Sequence, residues 1–399
     1  MVPTLPAAPL WALVAVSELL AMLVIVGHLC PPLPSIDMVE RPRENSQPLC
    51  RTYRSEAWLT KVEALANRSI SVGELLDFYS KLGPCREVMP HYDPLRHTTN
   101  DIARSAIIPL SYKTDGGVAY ASLLGDSGSH RMPDCMVTHD WQNLFVHLVA
   151  AIVADALRLN EYHTVSDRLV AGQLTSLRRN LELADATGNR YWICAFCVNQ
   201  HASICGTFPH PPPTSSAEFA RCDASRHDSV TSEPLPCCTC GAPKYLNEAP
   251  DLCELNKFDD MMEILSCSIP GFRHLVAVDR SFNTFTRLWC VAELVQAHLS
   301  SIPQSVCLLS DAVLDVDNAD LSIYIKLANL RVAECSATRA EDKEEILSKI
   351  HDFNEFDSQV QALIFGTRGL LKKRLVGTDV LYAAVRTASR FSAISGAAV

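Results

Sequence analysis

Short apolar runs alternate with segments of helical periodicity through the middle of the chain. The apolar runs lie at 135–138, 191–198, 275–278 and 305–309. Apolar residues at helical spacing follow the first run, and the third run precedes a helix predicted over about 287–299. Strands that alternate with helices are typical of a parallel sheet, and continuous apolar runs indicate strands buried on both faces. The pattern therefore predicts an α/β fold, a parallel sheet with helices on both of its faces.

The flanking parts of the chain have helical signals instead. Ser71 with Glu74, and Thr338 with Glu341, are each spaced as a capping box at the start of a predicted helix. We therefore expect helical segments on both sides of the sheet domain. The predicted division is an apolar N-terminal segment 1–34, a linker and helical region 35–130, the α/β domain 131–310 and a helical C-terminal region 311–399.

One segment inside the α/β domain fits neither pattern. Residues 203–251, between the second and third strands, contain many Pro and Cys residues and few large apolar ones. Such a composition cannot bury much apolar surface of its own. The segment is therefore predicted to be an irregular insertion.

Composition narrows the classes of partner. The chain has 399 residues, with 35 Lys and Arg against 45 Asp and Glu, so its formal net charge is −10. A hydrophobic content of 48% is enough for a large core and excludes global disorder. An acidic chain lacks the basic surface that nucleic-acid binding requires, so we expect no nucleic-acid partner.

The N-terminal apolar segment bears on localisation. Residues 10–29 are long enough to cross a bilayer, although Glu18 lies among them. Arginines follow the segment and none precedes it, so the positive-inside rule would place the rest of the chain in the cytoplasm. A membrane anchor, a cleaved leader and a soluble helix all stay open. Cytoplasmic placement agrees with the many cysteines inside apolar runs, where reduced thiols are typically buried.

Polar side chains follow each of the first three predicted strands. Ligands bind at the carboxyl ends of the strands in open parallel sheets, which makes these residues candidates for a binding site. Strand ends also carry polar residues simply because they meet water, so the alternative is an ordinary solvated edge. The candidate residues are His139, Asp140, Trp141, Asn199 and Asp279.

The helix after the third strand carries Trp289 and Glu293 on one face. The sequence Trp289-Cys290-Val291-Ala292-Glu293-Leu294, together with Thr138-His139-Asp140-Trp141, resembles the Toll/interleukin-1 receptor (TIR) domains over about 131–310. A wider resemblance, which includes Tyr191-Trp192-Ile193-Cys194-Ala195-Phe196, is to a set of uncharacterised protist and algal proteins over about 53–365.

The TIR resemblance implies a flavodoxin-like domain that serves as a self-associating signalling or interaction module. In the enzymatic members of that family the glutamate of this helix cleaves NAD at the nicotinamide–ribose bond, and the matching residue here is Glu293. NAD would then be the substrate, held by the strand-end residues and Trp289. A carboxylate near the ribose suits this chemistry because it stabilises the positive charge that develops in the transition state.

Cysteines of the insertion have the spacing of metal ligands. Cys237 and Cys240 lie in one short stretch, and Cys222 and Cys253 would complete a set of four zinc ligands. The opposing hypothesis is a set of free or redox-active thiols. A structural zinc would explain how a segment with so little apolar content stays ordered, and it adds a third hypothesis, a zinc-stabilised structural protein. The alternatives for the last two ligand positions are His227 and Cys238.

Overall fold

The computed structural model describes the central and larger part of the chain, with short gaps. It covers residues 54–371, except for 115, 126–130, 207, 209–213, 215–218, 247, 311–313, 315–320 and 367–368. The predicted anchor at 10–29 and the end of the predicted C-terminal region lie outside the described residues. None of the helices in this described part has the length and apolar character needed to span a bilayer.

A five-stranded mixed sheet lies at the centre of the described chain. Strands β2 to β5 run parallel, and β1 pairs with β3 in the antiparallel sense at one edge. The spatial order is β1-β3-β2-β4-β5, so the first parallel strand is central and the next two lie on either side of it. This confirms the predicted α/β class. The strands are β1 (Ile70–Ser71), β2 (Cys135–His139), β3 (Arg190–Ile193), β4 (Arg273–Ala277) and β5 (Gln304–Cys307).

Helices connect and flank the strands. They are α1 (Glu56–Ala66), α2 (Val72–Ser80), α3 (Thr99–Ile102), α4 (Ile108–Leu110), α5 (Phe145–Ala156), α6 (His163–Val170), α7 (Leu174–Leu183), α8 (Cys194–Cys197), α9 (Phe219–Ala224), α10 (Phe258–Ser268), α11 (Leu288–Leu299), α12 (Leu321–Ala328), α13 (Ala340–Ser348) and α14 (Phe353–Phe365). A π-helical turn, Ala103–Ile107, joins α3 to α4. Short 3₁₀ turns occur at Tyr120–Leu123, Gln200–Ala202, Leu255–Lys257, Asn283–Thr286 and Val332–Glu334.

The strands are buried on both faces, as their apolar runs predict. Leu275 and Val276 are neighbours in β4, yet they belong to two separate apolar cores because successive side chains of a strand point to opposite faces. On one face α5 packs with α2, while α10 packs with α1 and α11. Trp192 of β3 reaches α1, where its indole N–H donates to the carbonyl of Leu65 at 3.1 Å. Helices therefore enclose the sheet.

Two local predictions are wrong and one is confirmed. The apolar run 191–198 is only half strand, since α8 begins directly after β3. A buried single-turn helix is as apolar as a buried strand, so the run alone could not separate the two. Helix α13 begins without a side-chain cap, and Thr338 instead accepts a hydrogen bond from Arg287 at 2.9 Å. The capping box of Ser71 and Glu74 is present at the start of α2.

The insertion packs on the segment that contains α3. The side-chain amide of Asn100 donates to the carbonyl of Ser225 at 2.9 Å, and the hydroxyl of Ser229 donates to the carboxylate of Asp101 at 2.7 Å. These bonds join residues more than a hundred positions apart in the chain. Side-chain hydrogen bonds thus replace part of the apolar packing that the insertion lacks.

The ion pair of Arg68 and Glu254 fixes the chain just after the insertion. The guanidinium donates to both carboxylate oxygens at 2.8 and 3.1 Å, and only 4% of the Glu254 side chain is exposed. Arg68→Met should lower the free energy of unfolding by about 3–5 kcal/mol, because it leaves a buried carboxylate without its main partner. Denaturant unfolding measures the loss.

The matched control is Arg178→Met, which breaks the exposed pair between Arg178 and Asp77. Exposed pairs are screened by water, so the expected loss is below about 1 kcal/mol. Equal losses in the two variants would contradict the assignment of Arg68 to a buried, structurally important pair.

Candidate functional site

Four side chains at the two ends of the insertion converge on one point. They are His201, Cys205, Cys238 and Cys240, and their ligand atoms all lie within 4.8 Å of one another. The sulfur of Cys205 is 3.5 Å from the sulfur of Cys240, and the sulfur of Cys238 is 3.6 Å from Nδ1 of His201. Three thiols and one imidazole form a donor set that could hold a metal ion.

Backbone pairing brings the two halves of this group together. His201 lies in the 3₁₀ turn that follows α8, and Cys205 comes shortly after it. The amide of Cys238 donates to the carbonyl of Cys205 at 2.7 Å, and the amide of Tyr245 donates to the carbonyl of Ala202 at 2.8 Å. The end of the insertion is therefore aligned against its beginning.

A tight turn directs a hydrogen-bond donor at the sulfur of Cys240. Gly241 has φ 66°, a left-handed conformation that favours glycine, and the amide of Ala242 then donates to the sulfur at 3.4 Å. Burial acts to raise the pKa of the Cys240 thiol, but this amide and the neighbouring thiols hold it below its ordinary value. Burial raises the pKa of Cys205 instead. The site thus favours a thiolate at Cys240 first.

His201 presents a lone pair to the other ligands. The hydroxyl of Ser111 donates to the carbonyl of Ile107 at 2.7 Å, so its oxygen is an acceptor for Nε2 of His201 at 3.2 Å. The proton of the neutral ring therefore resides on Nε2, and Nδ1 faces Cys238. Metal-bound histidines have this arrangement, with the second ring nitrogen bonded to a fixed acceptor. Burial lowers the pKa of His201 and keeps the ring neutral.

The observed group shares only part of the predicted ligand set. Cys240 belongs to both, and Cys238 was an alternative ligand. The other predicted ligands lie elsewhere, Cys222 on α9, Cys237 exposed beside the site and Cys253 buried beyond the insertion. Spacing along an irregular loop therefore pointed to the segment that carries two of these cysteines, but it did not specify which cysteines lie close together.

Two members of the group, His201 and Cys205, lie outside the predicted ligand set. His201 follows β3 and α8, and Cys205 lies at the very start of the insertion. The signal that could have found them is the pair of short spacings, His-x-x-x-Cys before the proline-rich stretch and Cys-x-Cys after it.

A second group of ligand-type side chains does not have metal-binding chemistry. The ligand atoms of His91, His97 and Asp228 also lie within 4.8 Å of one another. However, Nδ1 of His97 accepts the amide of Asp93 at 2.8 Å, so the ring proton is on Nε2, which faces Asp228 at 3.3 Å. A protonated nitrogen cannot bind a metal. We therefore describe this group as a hydrogen-bonded clasp between the insertion and residues 91–97.

Two of the predicted strand-end residues close turns. The carboxylate of Asp279 accepts the amides of Asn283 and Thr284 at 3.0 and 2.8 Å. The side-chain oxygen of Asn199 accepts the amide of His201 at 3.1 Å and so caps the turn that carries this ligand. The acceptor atoms of both residues are thus occupied by the backbone.

The other strand-end residues form a buried polar cluster after β2. The indole N–H of Trp141 donates to the sulfur of Cys194 at 3.1 Å, and this sulfur is 3.5 Å from Nε2 of His139. Burial lowers the pKa of His139 to about 4, so the ring is neutral. Asp140 lies 3.8 Å from Nε of Arg287, and burial raises its pKa. These contacts hold the residues at the carboxyl end of β2 in place.

Glu293 lies on the side of α11 that faces the sheet, where it is buried. Its exposed fraction is 8%, and it forms a hydrogen bond with Thr138 of β2. Trp289, one turn earlier, is half-buried and packs near Phe258 of α10, with the ring centres 6.1 Å apart. The predicted pair on α11 thus makes interior contacts with neighbouring elements.

A chain of buried hydrogen bonds continues from Glu293 through the sheet. Oγ1 of Thr138 is 2.7 Å from Nε2 of His274, and Nδ1 of His274 is 3.2 Å from Oε1 of Gln304. The hydroxyl of Thr138 donates to the carboxylate of Glu293. Burial raises the pKa of Glu293 to about 7, although the hydrogen bond from Thr138 opposes this, and burial lowers the pKa of His274 to about 4.

The described residues form an α/β fold, and the group of His201, Cys205, Cys238 and Cys240 could hold a metal ion. Comparison of the chain with family models, with curated proteins and with solved structures finds no significant match. The functional interpretation therefore depends on the chemistry of the described residues.

Glu293→Gln tests the buried chain. Between pH 4.5 and 7 the glutamate is ionised in the unfolded chain and protonated in the folded one, so it lowers stability as the pH rises. The slope of this contribution is about 1.4 kcal/mol per pH unit. His274 has the opposite effect, since folding lowers its pKa from 6.5 to about 4. Glu293→Gln removes only the first contribution, so the variant should gain stability relative to wild type as the pH rises.

Urea unfolding of both proteins at a series of pH values measures this difference. The control is Glu263→Gln on α10, which changes a partly exposed carboxylate and should give a profile parallel to wild type. Parallel profiles for Glu293→Gln and wild type would show that Glu293 is not protonated in the folded protein.

Proposed function

We propose that this chain binds one structural zinc ion through His201, Cys205, Cys238 and Cys240. The observation that carries the proposal is the convergence of their ligand atoms within 4.8 Å. Three cysteines and one histidine are a donor set of structural zinc sites, in which four protein ligands leave no position for a reactive water. Thiolates also disfavour magnesium and calcium, which bind oxygen ligands.

The distances within the group support zinc. Zinc binds sulfur at about 2.3 Å and imidazole nitrogen at about 2.0 Å, so a tetrahedral site separates two sulfurs by about 3.8 Å and a sulfur from a nitrogen by about 3.6 Å. The separations between Cys205 and Cys240, and between Cys238 and His201, are 3.5 and 3.6 Å. These two pairs would need only small adjustments to bind the ion, and the other separations are within 4.8 Å.

The role of the ion would be to hold the insertion on the α/β domain. Cys205 lies at the start of the insertion and Cys238 and Cys240 lie near its end, so one ion would close the loop and reduce its conformational freedom. His201 adds a connection to the domain through Ser111, which follows α4. The ion would thus replace the apolar core that the insertion lacks.

Metal analysis tests the proposal directly. The purified chain should contain about one zinc per molecule, measured by inductively coupled plasma mass spectrometry, and Cys240→Ser should lose it because three ligands bind zinc much more weakly than four. The matched control is Cys237→Ser, an exposed cysteine of the same loop outside the group, which should keep the zinc. Wild-type protein without metal, or equal loss in both variants, would contradict the proposal.

A second proposal concerns the domain itself, which we infer to be a flavodoxin-like interaction module. Counted along the chain, the parallel strands have the spatial order 2-1-3-4, which is the order of flavodoxin-like sheets. This order supports the resemblance to TIR domains and, through it, self-association. The NAD-cleaving alternative has less support, because Glu293 is buried against Thr138 and the strand-end acceptors bind the backbone.

An assay with NAD separates the two alternatives. The full-length chain should release no more nicotinamide from NAD than Glu293→Gln does, because a carboxylate with 8% exposure cannot contact the ribose. Chromatography of the reaction measures the release, and light scattering at increasing protein concentration measures self-association. Nicotinamide release that depends on Glu293 would instead support the enzyme.

A further inference from the structure

We propose that Arg104 supplies the counter-charge of the zinc centre, an inference that rests on the proposed zinc site. Arg104 belongs to the π-helical turn between α3 and α4, and its exposed fraction is 6%. Its Nε and Nη1 atoms have no hydrogen-bond partner among the described residues. Within the described part of the chain it forms no ion pair with a carboxylate. A buried cation is unfavourable unless an anion lies near it, so its surroundings should supply one.

The groups around Arg104 belong to the insertion. Its guanidinium carbon lies 3.8 Å from the centre of the Phe208 ring, a favourable contact that does not neutralise the charge. Burial lowers the pKa of Arg104 to about 10, and a negative charge on Cys237 or Cys205 would oppose this. Cys205 is one of the four proposed ligands, and metal binding would make it a thiolate. The loaded metal site would therefore place negative charge near Arg104.

The same helical turn also positions a ligand. The carbonyl of Ile107 accepts the hydroxyl of Ser111, whose oxygen accepts Nε2 of His201. Helical turns of the π type are rare and are often found at functional sites. The turn thus carries Arg104 and, through the carbonyl of Ile107, orients the hydroxyl of Ser111 that accepts from the imidazole.

The charges of the centre explain why a cation is needed there. Zinc carries +2, three thiolates carry −3 and a neutral imidazole carries none, so the loaded centre has a net charge of −1. Lys244 is also nearby, but its Nζ donates to the carbonyls of His201 and Ala242 at 2.8 and 2.7 Å. Lys244 keeps those two bonds with or without a metal, and its charge also favours the thiolate forms of Cys205 and Cys240. Arg104 has no such bonds at Nε and Nη1, so metal binding gives it a partner.

Zinc affinity tests this role. In the full-length chain, Arg104→Met should lower the affinity for zinc by about 10- to 100-fold, as removal of an outer-shell partner does. Arg104→Lys keeps the charge and should retain most of the affinity. The matched control is Arg226→Met, because Arg226 lies over the same Phe208 ring at a greater distance of 5.6 Å. Competition with a chromogenic chelator measures all four proteins.

A second measurement separates charge from packing. Arg104→Met should lower the stability of the zinc-loaded protein, because it removes the cation beside the negatively charged centre. In chelator-treated protein no such anion is present, so the substitution removes an unpaired buried charge. The variant should then be at least as stable as wild type. Arg104→Gln serves in its place if the methionine variant does not fold. Equal destabilisation with and without zinc, or unchanged zinc affinity, would overturn the proposal. If wild-type protein binds no zinc, the zinc site itself is overturned. This result comes from the wild-type protein alone and needs no Arg104 variant.

Discussion

The convergence of His201, Cys205, Cys238 and Cys240 is the interaction on which the insertion depends. The described residues of 203–251 contribute few large side chains to either apolar core, so their burial alone cannot order the insertion. Their other attachments are hydrogen bonds, such as the clasp at Asp228, and each is worth about 1 kcal/mol net. A metal bound by both ends of the segment would supply far more. The proposed ion, its ligands and Arg104 thus form one electrostatic unit.

The features predicted from sequence are those encoded by neighbouring residues. The alternation of apolar runs and helical periods gave the α/β class, and the capping box of Ser71 and Glu74 placed the start of α2. The ligands His201 and Cys205 could not be chosen this way, because their partners lie across the whole insertion and meet them through backbone pairing. The side of α11 that Glu293 occupies depends on how that helix docks on β2, which the helical period does not specify.

Polar groups inside this domain have mainly structural partners. Glu293, Thr138 and His274 form a continuous buried chain of hydrogen bonds, and Asp279 closes a turn. Buried polar groups are tolerated when they are fully hydrogen-bonded, and such networks restrict the number of ways in which a core can pack. A catalytic carboxylate would need to face a substrate instead. These contacts are the reason why we propose an interaction module and not NAD cleavage.

X-ray absorption at the zinc edge tests the central claim most directly, because it identifies the atoms bound to the metal in the intact chain. The account predicts three sulfur ligands at about 2.3 Å and one nitrogen ligand at about 2.0 Å. It also predicts that this first shell is the same in Cys237→Ser as in wild type, since Cys237 lies outside the group. A zinc ion surrounded by oxygen and nitrogen only, or a chain without zinc, would contradict the account.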